Sequence, residues 1–405
     1  MSNKIDRRAF TRQSIGLVGI AGIAGASSFA SPKTGSKLRP LSDKFLKRLP
    51  TMMALANVPG VAVAYVEKGR VTWSGDFGVK NADTREKAGP DTVWPVGSLS
   101  KPVFAFAVMN LVDSGRLDLD RPLVNYVPGD LIKDEPRAKL ITARHALSHS
   151  TGLQNWRFQT GQTLQMAFSP GERFSYSGEG IYYLQRAVEQ ITGQGLEQFM
   201  RERVLTPLGM TSSSYFWMPD YEKRIVTTHN AVGMVTPDYV VQNAPRVSKV
   251  AADWKKPVAE WRNDEQERAQ AIVETRFPPF PTFFPVNAAG TLLSTTADYA
   301  RFVIALLVRS NASILTERSV AEMLRMQVRI NDTVSWGLGW GLQTADGRSS
   351  FWHWGEGINY RTFIIADRTE GSAVLVFTNA RNGRKIWERI VTEATGIDQP
   401  LFLWL

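Results

Sequence analysis

The sequence contains no cysteine among its 405 residues. Thiol catalysis, disulfide bonds and cysteine-based zinc sites are therefore excluded. Beyond the N-terminal region, no apolar run reaches the about 20 residues that a membrane-spanning helix needs. No dense run of lysine and arginine marks a nucleic-acid site, so we interpret the formal net charge of +10 as a solvated basic surface. The composition predicts neither a nucleic-acid partner nor stable membrane insertion of the mature chain.

The overall composition is that of an ordinary globular protein. Hydrophobic residues make up 43% of the chain and charged residues 21%, which excludes an intrinsically disordered protein. A chain of this length can bury a large core and form two lobes of one enzyme-sized unit.

The first 30 residues have the pattern of an export signal. Arg7-Arg8 precedes a Gly/Ala/Ile-rich segment at 15–26, and Ser28-Phe29-Ala30 offers small residues for a cleavage site. The apolar segment is too short to cross a bilayer. We therefore predict a twin-arginine-type signal peptide at 1–30, with an uncleaved anchor as the alternative. The mature protein is expected to begin near Ser31 and to be periplasmic or secreted.

The hydrophobic pattern predicts strands at both ends of the chain and helices between them. Alternating residues indicate a hairpin at about 60–78 that turns at Lys68-Gly69, and further strands follow in the C-terminal part. Helical spacing begins after Pro95. We interpret 213–285 as long irregular excursions.

These elements predict an α/β fold of the α+β type. Its antiparallel sheet is built from both chain ends and flanked by helices, with a helical lobe inserted between the two sets of strands. The predicted domain covers 31–400. Within it, the sheet lobe takes about 40–94 and 286–400, and the helical lobe takes about 95–285.

Ser98 and Lys101 lie three residues apart where the helical pattern begins. This spacing puts both side chains on one helix face, with Ser98 in a first turn whose free N–H groups favour negative charge. A serine hydroxyl needs a base, and burial lowers the pKa of a lysine so that it can accept a proton. The alternative is a capping serine followed by a snorkelling lysine.

The other histidines are not predicted to be catalytic. His145 and His149 have the spacing of a metal pair, but no H-E-x-x-H glutamate and no third ligand accompany them. We expect structural roles for both, and neither a metal nor a cofactor. We make no prediction for His229. The tryptophans at 336–354 are expected to pack the sheet, and 276–285 is interpreted as a connector rather than a cleft-edge loop.

Three short motifs occur in a fixed order that resembles one superfamily. The S-x-x-K at 98–101 follows a hairpin, Tyr176-Ser177-Gly178 comes later, and His353-Trp354-Gly355 lies on a late strand. Blocks such as "PGVAVAYVEKGRV" and "AAGTLLSTTADYARF" extend the likeness over roughly 40–395. The chain resembles the serine β-lactamase and penicillin-binding-protein superfamily. The closest branch comprises class C β-lactamases, D-alanyl-D-alanine carboxypeptidases, D-amino-acid peptidases and family VIII esterases.

The resemblance implies a role for each matching residue. Ser98 is the acylated nucleophile and Lys101 prepares it for deprotonation. Tyr176 is the proton shuttle, either as a phenolate or activated by the field of the lysine. The backbone N–H groups of Ser98 and Glu356 would form the oxyanion hole. His353 replaces the lysine of K-T-G, and it would orient a substrate carboxylate or hydrogen-bond the Tyr–Ser pair.

Two departures from the family pattern bear on the substrate. Gly178 replaces the asparagine of Tyr-x-Asn, whose amide contacts the acylamide group of lactam and peptide substrates. Trp354, before Gly355, replaces a Thr or Ser whose hydroxyl lies beside the substrate carboxylate. Both changes weaken the case for β-lactam or D-Ala-D-Ala hydrolysis. Trp354 and Tyr360 are candidates to line the pocket.

We therefore hypothesise an exported serine hydrolase that acts through a Ser98 acyl-enzyme on carboxylic esters or small amides. The alternatives are a β-lactamase, a D-Ala-D-Ala carboxypeptidase or a D-aminopeptidase. A catalytically silent binding protein of the cell envelope is a further alternative, which the intact Ser98, Lys101 and Tyr176 disfavour. The expected partner is a small ester, amide or peptide, and no oligomeric state is predicted.

Overall fold

The computed structural model describes residues 38–308, 314–345 and 347–405. The predicted signal peptide at 1–30 and the predicted start near Ser31 lie outside these ranges. Within them, no helix combines the length and the apolar character needed to cross a membrane.

Eight strands from the two ends of the chain form one antiparallel sheet, as predicted from the sequence. Its spatial order is β2-β1-β10-β9-β8-β7-β6-β5, while β3 pairs with β4 in a separate ladder. The strands are β1 Gly60–Glu67, β2 Arg70–Gly78, β3 Trp94–Pro95, β4 Leu293–Ser294, β5 Val328–Arg329, β6 Val334–Trp336, β7 Gly341–Ala345, β8 Arg348–Glu356, β9 Arg361–Asp367 and β10 Ser372–Thr378.

Helices cover both faces of this sheet. The helices are α1 Asp43–Ala56, α2 Ser100–Asp113, α3 Ala143–Leu147, α4 Gly178–Thr192, α5 Leu196–Met200, α6 Tyr239–Trp254, α7 Asn263–Val273, α8 Thr296–Leu307, α9 Glu317–Met323, α10 Arg384–Thr395 and α11 Leu401–Trp404.

The alternation of β1 shows how the core is divided between the two faces. Val63 and Tyr65 join the cluster that includes residues of α1 and α10, while Ala62 and Ala64 join the larger cluster formed with α2 and α8. Because both faces are buried, β1 is apolar at nearly every position, with larger side chains on one face and small ones on the other.

The predicted hairpin turn has the conformation that its sequence demands. Lys68 and Gly69 both have positive φ, at 51° and 71°. Two left-handed residues give the type I′ turn, whose twist matches that of the flanking strands.

The interpretation of 213–285 as irregular throughout is wrong, because α6 and α7 lie within it. The side chain of Asp238 caps α6 by accepting a hydrogen bond from the N–H of Val240 at 3.0 Å. Pro245 inside α6 and the buried polar Asn243 interrupt the apolar stripe that would otherwise indicate a helix.

Candidate active site

Ser98 lies in a short 3₁₀ turn, Gly97–Leu99, that leads directly into α2. The hydroxyl of Ser100 stabilises this turn, because it donates to the carbonyl of Gly97 at 2.6 Å and accepts from the N–H of Leu292 at 3.0 Å. Ser98 is therefore held at the beginning of a buried helix, as the sequence analysis predicts.

The end of β8 is pressed against this turn. A Cβ on Gly355 would lie 1.8 Å from the carbonyl oxygen of Val96, so only glycine fits there. Thr362 on β9 donates to the same carbonyl at 3.0 Å. A Cβ on Gly97 would lie 2.9 Å from the backbone nitrogen of Glu356. The close approach brings the main chain of Glu356 against the turn that carries Ser98, where the sequence analysis expects the oxyanion hole.

Lys101 is completely buried and lies beside the serine. Its Nζ is 2.8 Å from Ser98 Oγ and 2.6 Å from the carbonyl oxygen of Ala289. None of the ion pairs among the described residues includes Lys101, and burial lowers its pKa to about 7. A neutral amine can donate one N–H to Ala289 and keep its lone pair for the hydroxyl proton of Ser98. The pair can therefore generate a nucleophile near neutral pH.

Tyr176 lies on the other side of the lysine. Lys101 Nζ is 4.9 Å from the centre of the Tyr176 ring. The hydroxyl of Tyr176 is buried and has no hydrogen-bond partner in the described structure. Burial raises the pKa of Tyr176 strongly, and the nearby Ser98 hydroxyl lowers it by less. The raised pKa disfavours a phenolate and favours a neutral tyrosine that can donate its proton.

His149 holds the tyrosine in place, a role that the sequence pattern did not reveal. Its carbonyl oxygen accepts from the N–H of Ser175 at 2.7 Å, and its Nδ1 accepts from the N–H of Ser177 at 3.2 Å. Between these two contacts, its ring packs on that of Tyr176 with centroids 4.0 Å apart. His149 thus contacts three consecutive residues and fixes the position of the phenol.

The backbone of His149 explains why α3 ends at Leu147. The residue has a φ of 54°, so the helix cannot continue towards Thr151-Gly152. His149 and His145 therefore do not share a helix face. His145 instead forms a capping box with Thr142 at the start of α3, a structural role as predicted.

His353 is buried beneath the site and is neutral. Its Nδ1 donates to the carbonyl of Trp354 at 2.7 Å, and its Nε2 is buried without a partner. Burial, with a contribution from the charge of Lys101, lowers the pKa of His353 to about 3. His353 makes no hydrogen bond to Tyr176 or Ser98. The expected hydrogen bond between His353 and the Tyr–Ser pair is therefore wrong. A neutral, fully buried imidazole also cannot pair with a substrate carboxylate as a cation.

Trp156 occupies the space beside Gly178 and is the second site residue that the sequence analysis missed. A Cβ on Gly178 would lie 2.0 Å from Cζ2 of Trp156. The indole ring is 6.0 Å from Lys101 Nζ. Trp354 packs on the opposite part of the site, with its ring centroid 5.0 Å from that of Tyr176. Beside Gly178, which replaces the asparagine of the family pattern, this chain therefore presents an indole.

The other residues considered in the sequence analysis lie at the rim or outside the site. Tyr360 is buried, and a Cβ on Gly97 would lie 3.1 Å from its hydroxyl, so it lies close to the turn that carries Ser98. His229 bridges the carbonyl of Asn379 and the N–H of Ala82, at 3.0 Å and 3.1 Å, in a structural role. Trp336, Trp340 and Trp352 are buried in the core, as expected.

Comparison with known proteins identifies the family. The profile of the Beta-lactamase family matches residues 46–392. The chain belongs to the beta-lactamase family. Its members are generally serine hydrolases, and the matched region includes all the site residues described above.

Relatives and solved structures agree with this assignment. Penicillin-binding protein 4 of Amycolatopsis lactamdurans is 25% identical, over 85% of this chain and 88% of that protein. An uncharacterized Mycobacterium tuberculosis protein is 28% identical, but the alignment covers 57% of this chain and only 58% of the relative. In fold, the chain is similar to the octameric penicillin-binding protein homologue from Pyrococcus abyssi, with a TM-score of 0.67, 21% identity, and coverage of 89% of this chain and 79% of that one. A class C beta-lactamase has a TM-score of 0.65 at 16% identity, over 86% and 93% of the two chains.

Because only neutral Lys101 can accept the serine proton, we expect turnover to depend on the pKa of this lysine, about 7. The kcat/KM for an activated ester should rise about tenfold per pH unit below that pKa and level off above it. Lys101→Arg should be inactive at every pH because arginine stays charged. The measurement is a pH–rate profile of the wild-type chain and this variant, and a flat or falling profile through neutrality would contradict the role.

We expect His149→Phe to lower kcat by about 10- to 100-fold with little change in KM, because a ring remains on Tyr176 but the N–H of Ser177 loses its acceptor. The midpoint of the pH–rate profile should not change in this variant. Burial keeps the pKa of His149 well below its usual value, so the residue that is removed is neutral. His145→Ala is the matched control in α3 and should affect stability rather than kcat. Equal kinetics for the His149→Phe and wild-type chains would exclude the positioning role.

Proposed function

We propose that this protein is an exported serine hydrolase that cleaves carboxylic esters or small amides through an acyl-enzyme on Ser98. The observation that carries the proposal is the 2.8 Å contact between Ser98 Oγ and a buried lysine amine whose pKa is about 7. Membership of the beta-lactamase family supports the reaction class. Export is proposed from the sequence at 1–30 alone.

The geometry supports a two-step reaction. Neutral Lys101 takes the hydroxyl proton of Ser98 as Oγ bonds to the substrate carbonyl carbon, and the N–H groups of Ser98 and Glu356 stabilise the oxyanion. When the tetrahedral intermediate collapses, Tyr176 donates its proton to the leaving oxygen or nitrogen and is reprotonated from the Lys101 ammonium. Water then attacks the acyl-enzyme, and its proton returns through the same pair to Ser98 as the acid leaves.

The surroundings of the serine favour simple esters over β-lactams. Trp156 and Trp354 offer aromatic surface where an amide and a hydroxyl would bind the polar groups of a lactam or peptide. An unpaired polar group in such a site costs about 1–3 kcal/mol, or roughly 5- to 150-fold in binding. A short ester has no such polar groups that need partners in the site. It also has a better leaving group than an amide.

The first test is covalent labelling. A fluorophosphonate probe should modify Ser98, as located by mass spectrometry of the labelled peptide. Ser98→Ala should lose labelling and several orders of magnitude of ester turnover, because acylation has no alternative nucleophile. Ser114→Ala, at the exposed end of α2, is the matched control and should behave as wild type. A chain that is not labelled and hydrolyses neither ester nor lactam would be the silent binding relative instead.

The second test compares substrates. We expect kcat/KM for p-nitrophenyl butyrate to exceed that for nitrocefin, with cephalosporins turned over slowly or only acylating the enzyme. Gly178→Asn alone should be destabilising, because its Cβ would meet Trp156 at 2.0 Å. The double variant Trp156→Ala with Gly178→Asn should reduce the difference in kcat/KM between the ester and nitrocefin, because it restores an amide in the space that the Trp156 indole occupied. Efficient nitrocefin hydrolysis by the wild-type chain without ester turnover would refute the ester assignment.

A further inference from the structure

Two polar side chains are buried in the second half of α4, the helix that begins two residues after Tyr176. Gln185 is fully buried, and Glu189, one turn further along, is almost fully buried. A buried polar group is costly unless it is paired. Within the part of the chain that the structure describes, neither side chain hydrogen-bonds to Ser98 or Lys101. Their actual partners therefore indicate what the two residues hold in place.

Gln185 connects α4 to the main chain at Ala288. Its Oε1 accepts from the N–H of Ala288 at 2.8 Å, and its Nε2 donates to one carboxylate oxygen of Glu189 at 2.8 Å. The other carboxylate oxygen accepts from the N–H of Asn263, at the start of α7, at 2.9 Å. Because the N–H of Ala288 needs an acceptor and the carboxylate needs a donor, only this orientation of the amide satisfies both.

The residue after Ala288 binds the catalytic lysine, since Lys101 Nζ donates to the carbonyl of Ala289 at 2.6 Å. The segment at 286–289 belongs to no helix or strand. Side chains accept from each of its four N–H groups, in chain order those of Gln266, Thr291, Gln185 and Asn287. The position of the Ala289 carbonyl therefore depends on these side chains, and Gln185 is the one that connects it to α4.

We propose that Gln185 is a positioning residue for Lys101, because it holds the main chain at Ala288 and so keeps the carbonyl of Ala289 on the lysine amine. The inference rests on the proposed function, in which Lys101 is the base. Tyr176, whose ring lies 4.9 Å from Lys101 Nζ, directly precedes the same helix. Through α4, the structure thus fixes two of the groups that surround the amine.

The carbonyl of Ala289 has two effects on the lysine. It takes one N–H of the neutral amine, which leaves the lone pair to face Ser98 Oγ. It also accepts from the ammonium that forms when Lys101 takes the serine proton, and a hydrogen bond to a charged donor is the stronger of the two. If the carbonyl moves away, we expect both a lower turnover and a lower pKa of Lys101.

The first variant is Gln185→Met, which keeps the approximate size of the side chain but removes both hydrogen bonds. With p-nitrophenyl butyrate, kcat should fall about 10- to 100-fold while KM stays within about twofold. The midpoint of the pH profile of kcat/KM should move down by about 0.5–1 pH unit, because the ammonium loses an acceptor. Gln190→Met, at an exposed position of the same helix, is the matched control and should keep both wild-type values.

A change in the midpoint separates positioning from a purely structural role. A variant that is only less stable contains less folded enzyme, which lowers the rate equally at each pH where it is folded and leaves the midpoint unchanged. An unchanged kcat, or a midpoint that stays at the wild-type value or rises, would therefore overturn the role of Gln185.

The second variant, Gln185→Glu, makes the hydrogen bonds depend on pH. A protonated glutamic acid accepts from the N–H of Ala288 with one oxygen and donates to Glu189 with the other. Burial already raises the pKa of Glu189 to about 7, and a second buried carboxyl beside it raises the pKa of the shared proton further. The titratable groups that face Glu189 are Arg186 and Tyr182 of α4 and Arg262 before α7.

We expect Gln185→Glu to keep kcat within about threefold of wild type near pH 7 and to lose about tenfold relative to wild type near pH 9, where both carboxyls ionise. Thermal unfolding at both pH values checks that each variant is folded, and if Gln185→Met is not, this comparison decides. A constant ratio to wild type across this range would overturn the proposal. If the wild-type chain hydrolyses no ester, the proposed function fails. If it does and Lys101→Arg is inactive, but the Gln185 variants behave as wild type, only the positioning role fails.

Discussion

A lysine amine held 2.8 Å from a serine hydroxyl, fully buried and without a carboxylate partner, is the contact on which the rest of the site depends. A buried ammonium without a counterion is costly, so the lysine loses its proton near neutrality rather than near pH 10. The same dry surroundings act on its neighbours. They keep the imidazoles of His149 and His353 neutral and the phenol of Tyr176 protonated. Around Ser98, Lys101 is thus the group whose charge changes near neutral pH.

Two rigid parts of the fold meet at this contact. The 3₁₀ turn before α2 carries Ser98, and the end of β8 supplies Gly355 and Glu356. The two are brought together because Gly355 lacks a side chain and because Thr362 bonds the carbonyl of Val96. Tyr176 comes from a loop instead, and His149 provides the rigidity that the loop lacks. Ser98 and Tyr176 are therefore each held in position by contacts with a segment distant in the sequence.

The features that the sequence predicted depend on near neighbours in the chain. The hairpin at 60–78 follows from alternating residues and the Lys68-Gly69 turn. The Ser98–Lys101 contact follows from a spacing of one helical turn. That one antiparallel sheet takes strands from both chain ends could be anticipated because the family resemblance and the hydrophobic pattern agree.

The features that were missed depend on contacts between distant segments. Nothing in the spacing of His149 indicates that its ring will pack on Tyr176, because the chain brings them together only through a left-handed turn. Trp156 lies in a loop, and its position beside Gly178 is decided by tertiary packing. In α6, Pro245 and the buried Asn243 obscure a helix that packing against α7 and the segment at 281–285 stabilises. Local sequence patterns do not indicate which distant residues will be in contact.

The pairing of β1 with β10 determines when the sheet can be completed during synthesis of the chain. Val61 pairs with Thr378, which comes from the last part of the chain. Gly355 and Thr362, which hold the turn that carries Ser98, also come from that part. On the ribosome, the N-terminal hairpin and the helices emerge first, but the central position of the sheet stays open until β8, β9 and β10 have left the exit tunnel. The nucleophile is thus assembled only once synthesis is nearly complete, so a prematurely terminated chain has a serine and a lysine but no active site.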